Sequence, residues 1–133
     1  MTNKKCTIKE QKTILVVEDE KPLLFAIVAK LNKCGFNTLE ARSVEEASKY
    51  IEGNICVDAV WLDHYLLGSE DGIDLMSRLQ NSKLNSTPVF VVSNTVNPNK
   101  IRTYLMMGAI KYYTKAEHRL DEIISDIKNT LST

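Results

Sequence analysis

Short apolar runs alternate along the chain with stretches in which apolar residues recur at helical spacing. Ile14-Leu15-Val16-Val17 is wholly apolar, as expected of a strand covered on both faces. Leu24, Ile27, Val28 and Leu31 follow at helical spacing, with Pro22 placed where a helix start tolerates it and Gly35 at the stop. Asn37 to Glu40 reads as a weaker strand. Ser43-Val44-Glu45-Glu46 has the form of a capping box, and it opens a helix with Ala47, Tyr50 and Ile51 on one face. Ala59-Val60-Trp61-Leu62 is a second buried strand, with Trp61 as a core residue. Asp71 then caps a helix carrying Ile73, Met76 and Leu79. Val89-Phe90-Val91-Val92 is a third buried strand, preceded by Pro88. Asn97-Pro98 opens a helix through Ile101 and Leu105 that Gly108 ends. Ile110 to Thr114 is a more polar strand. Leu120, Ile123, Ile124, Ile127 and Leu131 stripe the last helix.

Five strand–helix units in succession predict an α/β domain, because parallel neighbours need crossover connections and the helices supply them. The first, third and fourth strands are apolar throughout, and the second and fifth are mixed. Strands buried on both faces belong in the middle and mixed ones at the edges. The expected architecture is therefore a flavodoxin-like, doubly wound sheet of five parallel strands in the order 2-1-3-4-5, with five helices. It occupies residues 13–133 as one domain, behind a polar N-terminal extension over residues 1–12. No internal repeat, low-complexity tract or linker to another domain interrupts it.

Composition narrows the classes. The 133 residues are 44% hydrophobic and 26% charged, enough to bury a core without a metal or disulfides. The 17 basic and 17 acidic residues cancel, so the electrostatic footprint of a nucleic-acid binder is missing. Cys6, Cys34 and Cys56 form neither a CxxC pair nor an even set, and are expected as reduced packing residues. No apolar stretch is long enough to span a bilayer, and Met1 to Lys12 lacks the apolar segment of a secretory signal. A cytoplasmic protein without membrane or nucleic-acid partners is expected.

Candidate chemistry sits at the strand ends. In a sheet of this order, ligands bind beyond the carboxyl ends of the strands, near the switch in strand order. The first strand ends in Glu18-Asp19-Glu20, the third in Asp63, the fourth in Ser93-Asn94-Thr95, and the fifth leads to Lys115. Clustered carboxylates resist ionisation unless a cation sits among them. Oxygen ligands at a partly hydrated site suit Mg²⁺. A carboxylate can act as a nucleophile and form an acyl phosphate, and phosphoryl transfer needs little beyond positioning and charge. Lys115 can pair first with that carboxylate and then with a phosphoryl oxygen, to which the Ser93 hydroxyl can also donate.

With these residues in this order, the sequence closely resembles the response-regulator receiver family from about Thr13 to Leu131. The resemblance implies that Asp63, closing Val60-Trp61-Leu62-Asp63, is the phosphoacceptor. It implies that Glu18 and Asp19 are the acidic pair that holds Mg²⁺ together with Asp63. Tyr65 stands where a backbone carbonyl completes the metal shell. Ser93 matches the hydroxyl position and Lys115 the lysine after the fifth strand, while Ser93 and Tyr112 match the switch positions. The expected function is that of a stand-alone receiver without an output domain. It would accept phosphate from a sensor histidine kinase or a histidine phosphotransfer protein and signal through changed protein contacts.

The sequence departs from the family pattern at three places. Leu66-Leu67 replaces the usual Met-Pro, and the stretch from Asp63 to Gly72 is one residue longer than the commonest spacing. Ala116 follows Lys115 where the family usually has a cis proline. A non-proline cis bond costs roughly 2.5–4 kcal/mol, so a trans bond, or else an unusual strained cis bond, is expected there. These departures are what support the alternative of a pseudo-receiver that binds partners without phosphate. An aspartate-nucleophile phosphatase would carry a second acid two residues past Asp63, where Tyr65 stands. No Walker loop or GxGxxG points to a nucleotide. His64 is expected as a plain surface residue. Bulky Tyr65, together with Thr95, which has no carboxylate or amide to orient water, predicts slow loss of phosphate.

Overall fold

The computed structural model describes residues 11–132. Residues 1–10 of the expected N-terminal extension, Cys6 among them, lie outside this range. The elements follow in strict alternation: β1 (Thr13–Val17), α1 (Lys21–Lys33), β2 (Asn37–Ala41), α2 (Val44–Glu52), β3 (Ala59–Leu62), α3 (Gly72–Gln80), β4 (Val89–Ser93), α4 (Pro98–Met106), β5 (Lys111–Thr114) and α5 (Leu120–Leu131). The strands form one parallel sheet in the order β2-β1-β3-β4-β5, as the edge argument predicts.

The period of two along each strand divides the core into two layers. Leu15, Val17, Val60, Leu62 and Val91 face α2, α3 and Tyr104 of α4. Ile14, Val16, Trp61, Phe90 and Val92 face the other way, toward Leu24, Ile27 and Leu31 of α1 and Ile123, Ile124 and Ile127 of α5. Trp61 is fully buried, as expected. Helices on both faces explain why the three inner strands are buried at every position and apolar at all but Thr13 and Ser93.

The register carries the sheet directly into the site. Val17 pairs with Leu62, and the Asp63 amide donates to the Val17 carbonyl at 3.0 Å. Glu18 and Asp63 are thus each the first residue beyond a paired position. Ser93 pairs with Thr114, and the Lys115 amide donates to the Ser93 carbonyl at 2.9 Å. The sheet therefore delivers Glu18, Asp63, Ser93 and Lys115 to one edge.

Several local expectations need correction. The buried residue of α4 is Tyr104, whereas Ile101 is half-buried and Leu105 is exposed. Tyr104 wins the inward position because its hydroxyl finds a polar partner below the helix. Ile110 is exposed and precedes β5 instead of opening it, although its amide donates to the Val89 carbonyl. The capping box of α2 closes differently: Ser43 accepts from the Glu46 amide, but the Glu46 carboxylate accepts from the Arg42 amide. The reciprocal box forms instead on α3, between Asp71 and Asp74. Neither described cysteine is a buried free thiol. Cys34 is free but exposed at the end of α1, and Cys56, half-buried in the loop before β3, is disulfide-bonded.

Candidate functional site

Beyond β1 and β3, three carboxylates converge. Glu18, Asp19 and Asp63 each offer one oxygen, and these oxygens lie within 4.8 Å of one another. Glu18 is fully buried and Asp63 nearly so, while Asp19 is half-buried. Lys115 reaches in from the end of β5, its Nζ 3.2 Å from Asp63 Oδ2 and 2.9 Å from Glu18 Oε1. Among the described residues no peptide bond is cis, so Lys115 makes both contacts across a trans bond to Ala116.

Electrostatics follow from two buried acids and one ammonium sharing a crevice. Burial raises the Glu18 pKa to about 7, with the Asp63 charge adding to the rise and Lys115 and the Glu20 amide opposing it. Burial pulls the Lys115 pKa down, but Glu18 and Asp63 together outweigh it and leave that pKa raised. Glu18 Oε2 accepts from the Glu20 amide at 3.1 Å. Glu18 Oε1 is close to Lys115 as an ion pair yet receives no aligned hydrogen bond. A buried carboxylate oxygen left in that condition is costly, and a cation beside it would relieve the cost. The all-oxygen donor set with an open rim fits a hard, partly hydrated ion such as Mg²⁺.

The remaining expected residues take distinct places. Ser93 is fully buried at the end of β4, where its Oγ accepts a long 3.4 Å bond from the Thr95 amide. Tyr65 lines the rim beside Glu18, Asp19 and Asp63, with its side chain turned largely to solvent. Tyr112 donates its hydroxyl to the Thr95 carbonyl at 2.7 Å. Burial raises the pKa of that hydroxyl, with a hydrogen bond to Ser93 opposing the rise.

Two features escape the sequence. Arg42, just past β2, donates from Nε and Nη2 to the Asp19 carbonyl at 2.9 and 2.7 Å. It thereby fixes the backbone that presents the Asp19 carboxylate. No periodicity or motif marks Arg42. The second is His64, which is 1% exposed rather than a surface residue. Its amide donates to Asp63 Oδ1 at 2.7 Å, and its ring Nδ1 lies 2.5 Å from the Tyr104 hydroxyl. The alternation that aims Asp63 into the pocket turns His64 under α4. Burial lowers the His64 pKa, with Asp71 opposing and Lys100 reinforcing the shift.

The family profile of the response regulator receiver domain matches residues 14–128. The phosphate regulon transcriptional regulatory protein PhoB of Pseudomonas aeruginosa is 35% identical over 106 residues, which cover 78% of this chain and 45% of that protein. The chain spans about half the length of the curated relatives it matches. A response regulator from Thermotoga maritima superposes with a TM-score of 0.77 at 27% identity, covering 92% of this chain and 99% of that one. A CheY-like receiver domain protein from Methanospirillum hungatei shares the fold at a TM-score of 0.84 and 21% identity, covering 92% and 95% of the two chains.

Proposed function

The chain belongs to the response regulator receiver family, and from that premise we propose that Asp63 accepts a phosphoryl group from phosphohistidine in a Mg²⁺-dependent reaction. The donor is a sensor histidine kinase or a histidine phosphotransfer protein. One Asp63 carboxylate oxygen forms a bond to phosphorus as the phosphorus–nitrogen bond of the donor breaks. The electron pair of that bond returns to the imidazole ring. The result is an acyl phosphate on Asp63.

The observation that carries this reading is the convergence of three carboxylate oxygens within 4.8 Å, with Lys115 Nζ 3.2 Å from Asp63. Glu18, Asp19 and Asp63, with the Tyr65 backbone carbonyl, would hold the ion. Bound there, Mg²⁺ supplies neutralisation of the charge that develops on the phosphoryl oxygens. Lys115 holds the Asp63 carboxylate before transfer and turns to a phosphoryl oxygen afterwards. The Ser93 hydroxyl donates to a second phosphoryl oxygen.

Phosphorylation adds roughly −1.5 to −2 charges beside buried groups, which biases Ser93 and Tyr112 toward a second arrangement. The readout is changed protein contact at the face built by α4, β5 and α5, where Val96, Leu105, Met106 and Ile110 stand exposed. The pseudo-receiver alternative rests on the missing proline after Lys115 and on the altered loop after Asp63. Lys115 reaches both carboxylates over a trans bond, so the missing proline no longer favours it.

Acetyl phosphate with Mg²⁺, followed by intact mass measurement, tests the proposal. The expected result is the mass of one added phosphoryl group in the wild type and none in Asp63→Asn. A wild type left unmodified by acetyl phosphate and by cognate kinases alike would overturn it. Tyr65 and Thr95 further predict that the phosphoryl group outlasts seconds in the isolated domain. Loss within seconds would contradict that part.

A further inference from the structure

Helix α4 is fastened to the body differently from the other four. Tyr104 is its single buried residue, whereas α1, α2, α3 and α5 each bury three or four. The Tyr104 hydroxyl lies 2.5 Å from His64 Nδ1. One turn earlier on the same helix, Lys100 Nζ stands 3.3 Å from His64 Nε2. An ammonium only donates, so Nε2 is the acceptor and the ring proton sits on Nδ1, facing the Tyr104 oxygen. Asp71 Oδ2 of the α3 cap faces the same Nε2 at 3.8 Å. A buried imidazole thus holds α4 at two points.

His64 is also tied to the phosphoacceptor through its main chain. Its amide donates to Asp63 Oδ1 at 2.7 Å, and its carbonyl accepts from the amide of Gly72, the first residue of α3, at 2.9 Å. The packing leaves no slack. A Cβ at Gly72 would collide with the Tyr104 hydroxyl and come within 2.8 Å of the Asp63 carbonyl oxygen. The Tyr104 ring meets Tyr112 at a centroid distance of 5.9 Å. A continuous line of contact therefore runs from Asp63 through His64 and Tyr104 to Tyr112.

We propose that His64 and Tyr104 are positioning residues that couple the state of Asp63 to the docking of α4. The proposal rests on the phosphoacceptor reading. While Asp63 is a carboxylate, the His64 amide makes a charge-assisted bond to it, about twice as strong as a neutral one. In the acyl phosphate that charge has moved to the phosphoryl oxygens, and the carboxyl oxygens become weaker acceptors. The His64 backbone loses its strong bond, and α4, which has no other buried anchor, docks less firmly. Both states of the helix then differ in one identifiable contact, as a switch requires.

Hydrogen–deuterium exchange of the α4 amides, read with intact mass on the same samples, tests this. Wild type and Tyr104→Phe are compared at equal phosphoryl occupancy on Asp63. In the wild type, phosphorylation is expected to raise exchange across 98–106 by about fivefold or more, the low end of ordinary coupling energies. In Tyr104→Phe, exchange is already raised before phosphorylation, and the further step is less than about twofold. An unchanged step in Tyr104→Phe overturns the coupling. Lys100→Met, which removes the second hold on His64 from a half-buried position and leaves Tyr104 in place, is expected to diminish the step; a full step there also counts against it. A wild type that phosphorylates with no change in α4 overturns the coupling alone. A wild type that does not phosphorylate removes the phosphoacceptor reading beneath it.

Discussion

The carboxyl group of Glu18 is fully buried, with Lys115 as its ion-pair partner and Asp63 as a like charge nearby. Its pKa of about 7, caused first by burial and then by Asp63, lies above the value an unfolded chain gives it. A raised carboxyl pKa stabilises the fold below the unfolded value and loses that contribution as pH rises through the folded one. The metal-free protein is therefore expected to lose stability between about pH 4.5 and pH 7. Glu18→Gln removes this loss, and at pH 8 the variant should be more stable than the wild type by on the order of 3 kcal/mol, the gap closing toward pH 4. Added Mg²⁺ should raise the wild-type melting temperature more at pH 8 than at pH 5.5. Thermal melts across that pH range check both statements, and a pH-independent gap would contradict them. The acids were legible in the sequence because each follows an apolar run, and the end of a parallel strand is where such sheets gather ligands. His64 was not. Its burial depends on Tyr104 approaching from forty residues away, and nothing in the local pattern around either residue signals the meeting.

At the level of elements, the starts of α2, α3 and α4 are each specified by a side-chain cap, from Ser43, Asp71 and Asn97. Asp71 accepts from the amides of Ile73 and Asp74, and Asp74 accepts in return from the Asp71 amide. Asp71→Ala is expected to lower stability by about 1 kcal/mol in denaturant titration. Helix α4 shows the limit of periodicity. Ile101 and Leu105 have the spacing of an inward stripe, yet Leu105 is 46% exposed and Tyr104 is fully buried. Leu105→Ala should therefore change stability by less than about 0.5 kcal/mol, whereas a core leucine such as Leu75 truncated to Ala should cost about 2–5 kcal/mol. A large loss at Leu105 would mean that α4 packs on its leucine after all. Apolar spacing finds a helix but not its rotation when a tyrosine can satisfy its hydroxyl inside and leave leucine to the surface. The α2 cap makes a similar point: the Ser43–Glu46 spacing was correct, but the sequence could not show that the carboxylate would choose the Arg42 amide.

For the whole molecule, the order of the strands does the positioning. Placing β1 beside β3 sets Glu18 and Asp19 next to Asp63, and placing β5 beside β4 brings Lys115 around to them. Strand polarity put β2 and β5 at the edges, because only inner strands are apolar on both faces, and the flavodoxin-like pattern supplied the order between them. The absence of proline after Lys115 left a trans bond or a strained cis bond open, and the bond is trans. The central claim is that this edge transfers phosphate to Asp63 with a cation held by Glu18 and Asp19. The most direct measurement is the rate of phosphoryl incorporation from acetyl phosphate as Mg²⁺ is titrated, with the modified residue mapped by peptide mass. The account predicts incorporation at Asp63 that requires Mg²⁺ and that Asp19→Asn slows by about tenfold or more at limiting Mg²⁺. Incorporation elsewhere in the chain, or at Asp63 with equal speed in the presence of a chelator, would contradict it.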